Sequence, residues 1–208
     1  MPINKTLYIV RHAQTDFNLK KIVQGRGINA PINETGVRQA QLFWQHYQTQ
    51  NFDKLYISSL QRTAQTLEPF ILQGTPHESL SGLDEFDWGI YEGKIGNYET
   101  QAEYLQLISA WRNGDYDAKP AGGESPNEVA LRQRAALNHI FSHENEEKVL
   151  ICTHGRAMRL LMCMVLEQPF YMMDSFLHQN TCLYIVKIIN DQPILVTENN
   201  VAHLKPTQ

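Results

Sequence analysis

Apolar positions along the chain fall into two patterns. Short unbroken runs read as strands buried on both faces: Leu7-Tyr8-Ile9-Val10, Lys54-Leu55-Tyr56-Ile57-Ser58, and Lys148 to Thr153 with Val-Leu-Ile-Cys at its centre. Two further strands are predicted at Cys182–Ile189 and Ile194–Thr197, hinged by Asn190-Asp191. The other pattern has helical spacing. Asn33 caps a helix through Val37, Ala40, Leu42-Phe43 and Tyr47, and Ser59 caps another from Leu60 to Leu72, closed by Gly74. Asn97 to Trp111 is helical as well. Glu124-Ser125-Pro126 opens a helix to about His143, with Pro tolerated in its first turn, and one from His154-Gly155-Arg156 runs to Leu166. From Glu78 to Gly96 neither period persists. Strand alternating with helix predicts an α/β fold, a three-layer α/β/α sandwich with a mainly parallel sheet. A single domain over residues 1–208 is expected, with a cap-like insertion at about 78–123 above the rim of the sheet.

Composition narrows the function classes. At 208 residues and 42% hydrophobic, the chain can bury about 70% of its unfolded surface in one core. A net charge of −4 gives no electrostatic case for nucleic acid or anionic membranes, so positive charge that serves an anionic ligand must be local. The longest apolar run, Leu160 to Leu166, is far short of the ~20 residues a membrane helix needs. Met1-Pro2-Ile3-Asn4-Lys5 leads straight into the first strand, so no signal peptide is expected. Cys152, Cys163 and Cys182 sit in apolar surroundings, as reduced core residues of a cytoplasmic protein would.

The candidate chemistry lies at the strand ends. Val10-Arg11-His12-Ala13 and Thr153-His154-Gly155-Arg156 each place a histidine beside arginine and small residues, and Ser58-Ser59 leads to Arg62 one turn into its helix. In a parallel sheet these ends open onto one rim, where ligands of open α/β sheets bind. Helix amino termini there would add N–H groups suited to an anion, and planar guanidiniums fit phosphate oxygens. The polar stretch from Arg11 to about Ile32, with Gln24-Gly25-Arg26-Gly27, is longer than a mere connection requires.

Taken together the motifs resemble the histidine phosphatase superfamily, also called phosphoglycerate mutase-like, in its branch of small phosphatases. They are Arg11-His12-Ala13-Gln14-Thr15 with Asn18; Ser58-Ser59-Leu60-Gln61-Arg62-Thr63; Leu83-Asp84-Glu85 with Trp88-Gly89 and Glu92-Gly93; Gly123-Glu124-Ser125; and Thr153-His154-Gly155. The resemblance implies a metal-independent phosphomonoesterase without cofactor, acting on a small phosphorylated metabolite. His12 would be the nucleophile that becomes phosphohistidine, and Glu85 the general acid and base. Arg11, Arg62 and His154 would hold the phosphoryl oxygens, joined by Asn18, Gln24, Gly25 and Gly155. Ala13 stands where Gly is commoner, and Gln14 where many members carry Glu. A mutase of the same family and a catalytically silent phospholigand binder are the alternatives, and a homodimer stays open. Asp84, Asp87 and Glu92 rival Glu85, which only the matched motif singles out. Arg156 and Arg159 are expected on the outer face of their helix, and Lys20, Lys21, Arg26 and Lys94 at the surface unless one reaches a second charged group. Trp88, Tyr91 and Phe17 are read as leaving-group pocket or core. His46, His77, His139, His143, His178 and His203 show no metal-ligand spacing and are read as structural or surface.

Overall fold

The computed structural model describes residues 2–95 and 98–205, with the backbone alone for residues 98–101. Among the described residues six strands form one sheet: β1 (Lys5–Arg11), β2 (Lys54–Ile57), β3 (His77–Ser79), β4 (Lys148–Thr153), β5 (Leu183–Ile189) and β6 (Gln192–Asn200). Their order is β3-β2-β4-β1-β5-β6. β1 runs parallel to β4, and β2 runs parallel to β4 and β3, while β5 and β6 close one side as an antiparallel hairpin. The hairpin turns at Asn190 and Asp191 with φ of 50° and 67°, left-handed values that Asn and Asp tolerate. No helix of the described residues is long and apolar enough to cross a membrane. The three cysteines are buried and unpaired.

Period-two alternation along the central strands divides the core between two faces. Leu7, Ile9, Val149 and Ile151 pack on one side with α5 (Pro126–Ser142) and α6 (Gly155–Val165), through Val129, Leu137, Ile140, Met158 and Leu161. Tyr8, Val10, Leu150 and Cys152 pack on the other with α2 (Glu34–Tyr47) and α3 (Gln61–Leu72), through Phe43, Tyr47, Leu67 and Phe70. Fully burying a side chain of this kind contributes roughly 1.5–3 kcal/mol, which is why strands apolar on both faces occupy the middle of the sheet. The sandwich is the one predicted. Register levels the strand ends, since Arg11 pairs with Thr153 and Ile57 with Cys152. His12, Ser58 and His154 therefore emerge side by side at one rim.

Local signals explain most boundaries. Asn33 accepts the Gly36 N–H at 2.9 Å, and Ser125 with Glu128 forms a reciprocal capping box. One expected cap is absent. The Ser59 hydroxyl donates to Asp84 at 2.8 Å, and Leu60, which has no side-chain acceptor, occupies the cap position. Asp84 also accepts from the Ser59 N–H at 2.8 Å, which holds Ser59 one residue ahead of the cap, and it arrives from far along the chain, where no local pattern announces it. β3 carries no strand signal either: its three residues, His77-Glu78-Ser79, are polar and lie at the edge of the sheet.

The irregular segment folds as two 3₁₀ turns, Ser81–Leu83 and Gly89–Tyr91, followed by α4 (Tyr98–Arg112). Phe86, Trp88 and Trp111 pack with ring centroids 5.6 to 5.9 Å apart and anchor this segment to the α5–α6 side of the core. Gly89 has φ of +51°, and a Cβ there would lie 2.1 Å from the Ala121 carbonyl, so no other residue fits.

Candidate active site

His12 is the first residue beyond β1 and only 3% exposed. Its Nδ1 lies 2.7 Å from the Ala13 carbonyl, which can only accept, so Nδ1 carries the proton. In the neutral ring the lone pair is then on Nε2. Burial, and after it the charges of Arg62 and Arg11, hold the pKa of His12 well below its ordinary 6.5. His154 lies with its ring centroid 5.1 Å away and has the opposite tautomer. Arg62 donates from Nε to His154 Nδ1 at 3.0 Å, which places the proton on Nε2, 2.8 Å from the Ser58 hydroxyl. Burial first, then Arg62 and His12, hold it neutral as well.

These two rings give a pH dependence of defined sign. An unfolded histidine takes up its proton below about 6.5, whereas the folded rings do not until the pH is much lower. The unfolded state therefore binds more protons below 6.5, and stability falls on acidification by up to about 1.4 kcal/mol per pH unit for each ring. Thermal unfolding should show a melting temperature that drops steadily from pH 6.5 toward pH 5, and a His154→Asn variant should show a shallower drop. A flat profile in the wild type would contradict the buried neutral pair.

A cavity of about 290 Å³ opens over His12. Of the predicted site residues, Arg11, His12, Asn18, Gln24, Glu85 and Gly155 line it. Arg62 and His154 do not line it; both are fully buried. Arg62 donates to the Ile28 carbonyl at 2.7 Å and the Gly25 carbonyl at 3.3 Å besides His154, leaving two of its five N–H groups uncommitted. Burial pushes its pKa down to about 10. Gly25 is also off the cavity wall. A Cβ there would meet Glu92 Oε1 at 2.0 Å, so its smallness lets the loop close on Glu92.

Several residues of the cavity wall carry donors. Arg11 donates from Nη1 to His178 Nδ1 at 3.1 Å, while its Nε–H is buried without a partner. Asn18 Oδ1 accepts from the Thr15 N–H and from Asn180 Nδ2, which turns its amide NH2 to other partners. Gln24 Oε1 accepts from Thr15, and its Nε2 is buried and unpartnered. A buried donor left unmade costs roughly 1–3 kcal/mol, so these unpaired groups are suited to an anionic oxygen.

The acidic rivals separate cleanly. Asp84 accepts from Ser59 and Arg26, Asp87 from the Gly89 N–H, and Glu92 from the Trp88 and Gly27 N–H groups. Among the described residues Glu85 is the one carboxylate that lines the cavity. It accepts from the N–H groups of Phe86 and Ala157 at Oε1 (3.0 and 2.8 Å) and of Arg156 at Oε2 (3.1 Å). The N–H groups at the start of α6, expected to meet a ligand, are thus occupied by Glu85. Arg132 fixes this loop from α5 by donating to the carbonyls of Gly82, Asp84 and Glu85 and to Glu124.

Some functional neighbours were not foreseeable as such. His178, expected to be structural or surface, lines the cavity and holds Arg11; burial and then Arg11 push its pKa down to about 3. Arg156, expected on the outer face of α6, is buried and lines the cavity, as does Tyr104. Trp88 and Tyr91 line it, Phe17 does not, and of the four surface cations named above only Lys21 reaches it. His178, Tyr104 and Lys21 stand in no local motif. Among the described residues no group of three or more His, Cys, Asp or Glu side chains could hold a metal ion.

Residues 7–201 match the histidine phosphatase superfamily (branch 1). A protein of Proteus mirabilis named "Probable phosphoglycerate mutase GpmB" is 34% identical over 172 residues, covering 79% of this chain and 76% of that protein. "Fructose-2,6-bisphosphatase TIGAR B" of Danio rerio is 32% identical over 73% of this chain, which spans only 57% of that longer protein. Among solved structures, "Mycobacterial hydrolase 1" superposes with a TM-score of 0.85 at 22% identity, over 96% of this chain and 100% of that one. The alpha-ribazole phosphatase of Shigella flexneri gives 0.81 at 23%, over 94% and 96%. At such identities the two structures establish a common fold.

Proposed function

Since the chain belongs to the histidine phosphatase superfamily (branch 1), we propose that it hydrolyses a small phosphomonoester through a phosphohistidine on Nε2 of His12. One observation carries this reading. The Nδ1–H of a buried, neutral His12 is tied to the Ala13 carbonyl, which leaves the lone pair on Nε2 of a ring that lines the cavity beside Arg11, whose buried Nε–H has no partner.

In the first step Nε2 attacks phosphorus, the ester P–O bond breaks, and Glu85 gives its proton to the leaving oxygen. Water then attacks phosphorus, its proton passes to Glu85, and the P–N bond breaks to return neutral His12. Transferring a phosphoryl group is chiefly a matter of position and charge. Arg11 at the cavity wall, and Arg62 through its charge from behind that wall, offset the charge on the equatorial oxygens. The Ala13 carbonyl holds the ring in one tautomer throughout, and His154, itself fixed by Arg62 and Ser58, adds no charge that would oppose the imidazolium character of the intermediate.

The mutase alternative has less support. The segment from Lys94 to Gly114 offers Lys94 and Arg112 for a substrate carboxylate, and neither lines the cavity; Arg112 is paired with Asp174 at 2.8 Å. A silent binder has no use for a carboxylate fixed beside the nucleophile. The test is hydrolysis of p-nitrophenyl phosphate in excess chelator, with product analysis on phosphorylated acids. Sustained release of inorganic phosphate is expected. Isomerisation in place of release would favour the mutase, and no turnover at all would favour the binder.

A further inference from the structure

Three guanidiniums converge on one carboxylate behind the cavity wall. Asp174 accepts from Arg156 at 2.6 Å, from Arg159 at 2.7 Å and from Arg112 at 2.8 Å. Among the described residues these three arginines have no other ion-pair partner, so one negative charge faces three positive ones. Arg112 is 61% exposed along its side chain and is served by water, whereas Arg156 is 10% exposed. An excess of charge held that deep is costly unless an anion offsets it.

Arg156 is also rigid. Its guanidinium lies 5.7 Å from the ring centroid of Trp111 and donates from Nη2 to the Tyr104 hydroxyl at 3.0 Å. With one N–H on Asp174 and one on Tyr104, three of its five donors remain on a side chain that lines the cavity. Arg11, Lys21 and Arg156 together face the single carboxylate of Glu85 there. In the phosphatase reading Arg11 and the buried Arg62 serve the phosphoryl group, which leaves Arg156 and the exposed Lys21 for a different one. The Arg156 N–H is bonded to Glu85 Oε2, so this residue stands where the leaving group would extend.

We propose that Arg156, held by Asp174, Tyr104 and Trp111, binds a second anionic group on the leaving-group side, with Lys21 assisting from the mouth. The substrate is then a phosphomonoester that also carries a carboxylate or a second phosphate, rather than the ester of a neutral alcohol. This specificity rests on the phosphatase reading for its orientation along the cavity, though not for the existence of the subsite.

The test uses matched pairs. Phosphoserine is compared with phosphoethanolamine, which lacks only the carboxylate, and a hexose bisphosphate with the corresponding monophosphate. A charge-assisted, two-point contact predicts kcat/KM roughly 10–100-fold higher for the anionic member of a pair. The pair with the larger ratio tells carboxylate from phosphate. In Arg156→Gln that ratio should collapse, mainly through KM, while Arg156→Lys retains part of it. Equal kcat/KM within both pairs for the wild type would overturn the proposal, as would Arg156→Gln lowering both members by one factor. Calorimetric binding of phosphonoacetate against methylphosphonate by the wild-type protein runs beside the kinetics. A preference for phosphonoacetate without turnover of any ester would retain the subsite and sink the phosphatase. Turnover with no preference in either assay would do the reverse.

Discussion

Replacing His12 by Ala lowers kcat for phosphomonoester hydrolysis by on the order of 10⁴-fold or more, because the covalent route has no substitute nucleophile. The other side chains lining the cavity are ill suited to take over. Arg11 and Arg156 are donors only, Glu85 is held by three backbone N–H groups, and His178 accepts from Arg11 at Nδ1, which puts its proton on Nε2. His154 is ring-to-ring with His12, but its Nδ1 accepts from Arg62 and its Nε2 faces Ser58, so it has no free lone pair. Steady-state kinetics on p-nitrophenyl phosphate and an alkyl phosphate, with thermal unfolding as the check on folding, measure the effect. Loss of less than tenfold with the fold intact would show that some other group, or water directly, attacks phosphorus.

Glu85→Gln separates proton transfer from nucleophilic attack. Glutamine keeps one oxygen for the N–H groups of Phe86 and Ala157 and turns its NH2 toward the Arg156 N–H, while Arg132 still pins the loop through its carbonyls. Lost with the Arg156 contact is the exchangeable proton. An alkoxide leaving group needs that proton and an aryl oxide largely does not, so kcat should fall by about 10²–10⁴-fold on alkyl phosphates and much less on aryl phosphates. The same substitution slows water attack on phosphohistidine, so a burst of released phenol should precede the steady state. Equal losses on both substrate types would point to positioning by Glu85 and to another acid. Asp84, Asp87 and Glu92 are poor candidates, because none of them lines the cavity.

What could be read in the sequence, and what could not, follows from the range of the interactions. Strands apolar on both faces, the Asn33 and Ser125 caps and the Asn190-Asp191 turn are local features, and the fold followed from them. His12 and Glu85 stand in motifs, and register alone brings His12 level with His154. The Ser59 cap is absent because Asp84, 25 residues later, accepts from both the N–H and the hydroxyl of Ser59 and holds it one residue ahead of the cap position. His178 and Arg156 were misread for a related reason. Their neighbours Arg11, Tyr104, Trp111 and Asp174 come from distant segments, and a period-based reading of α6 cannot see that the wall it abuts is aromatic and acidic. Arg132 was invisible because it acts on carbonyl groups, which no side-chain pattern records. The substrate is set by these same long-range contacts, which is why the motifs identify a phosphoryl site before they identify a leaving group.

The most direct test of the mechanism is to trap the intermediate. Enzyme mixed with a radiolabelled phosphomonoester is quenched within the first turnovers, and the protein is divided between acid and alkali before peptide mapping. The mechanism predicts label that acid removes and alkali preserves, on the peptide containing His12, increased in Glu85→Gln and absent from His12→Ala. Continued hydrolysis with no labelled protein at any quench time, or label that maps to another residue, would contradict it.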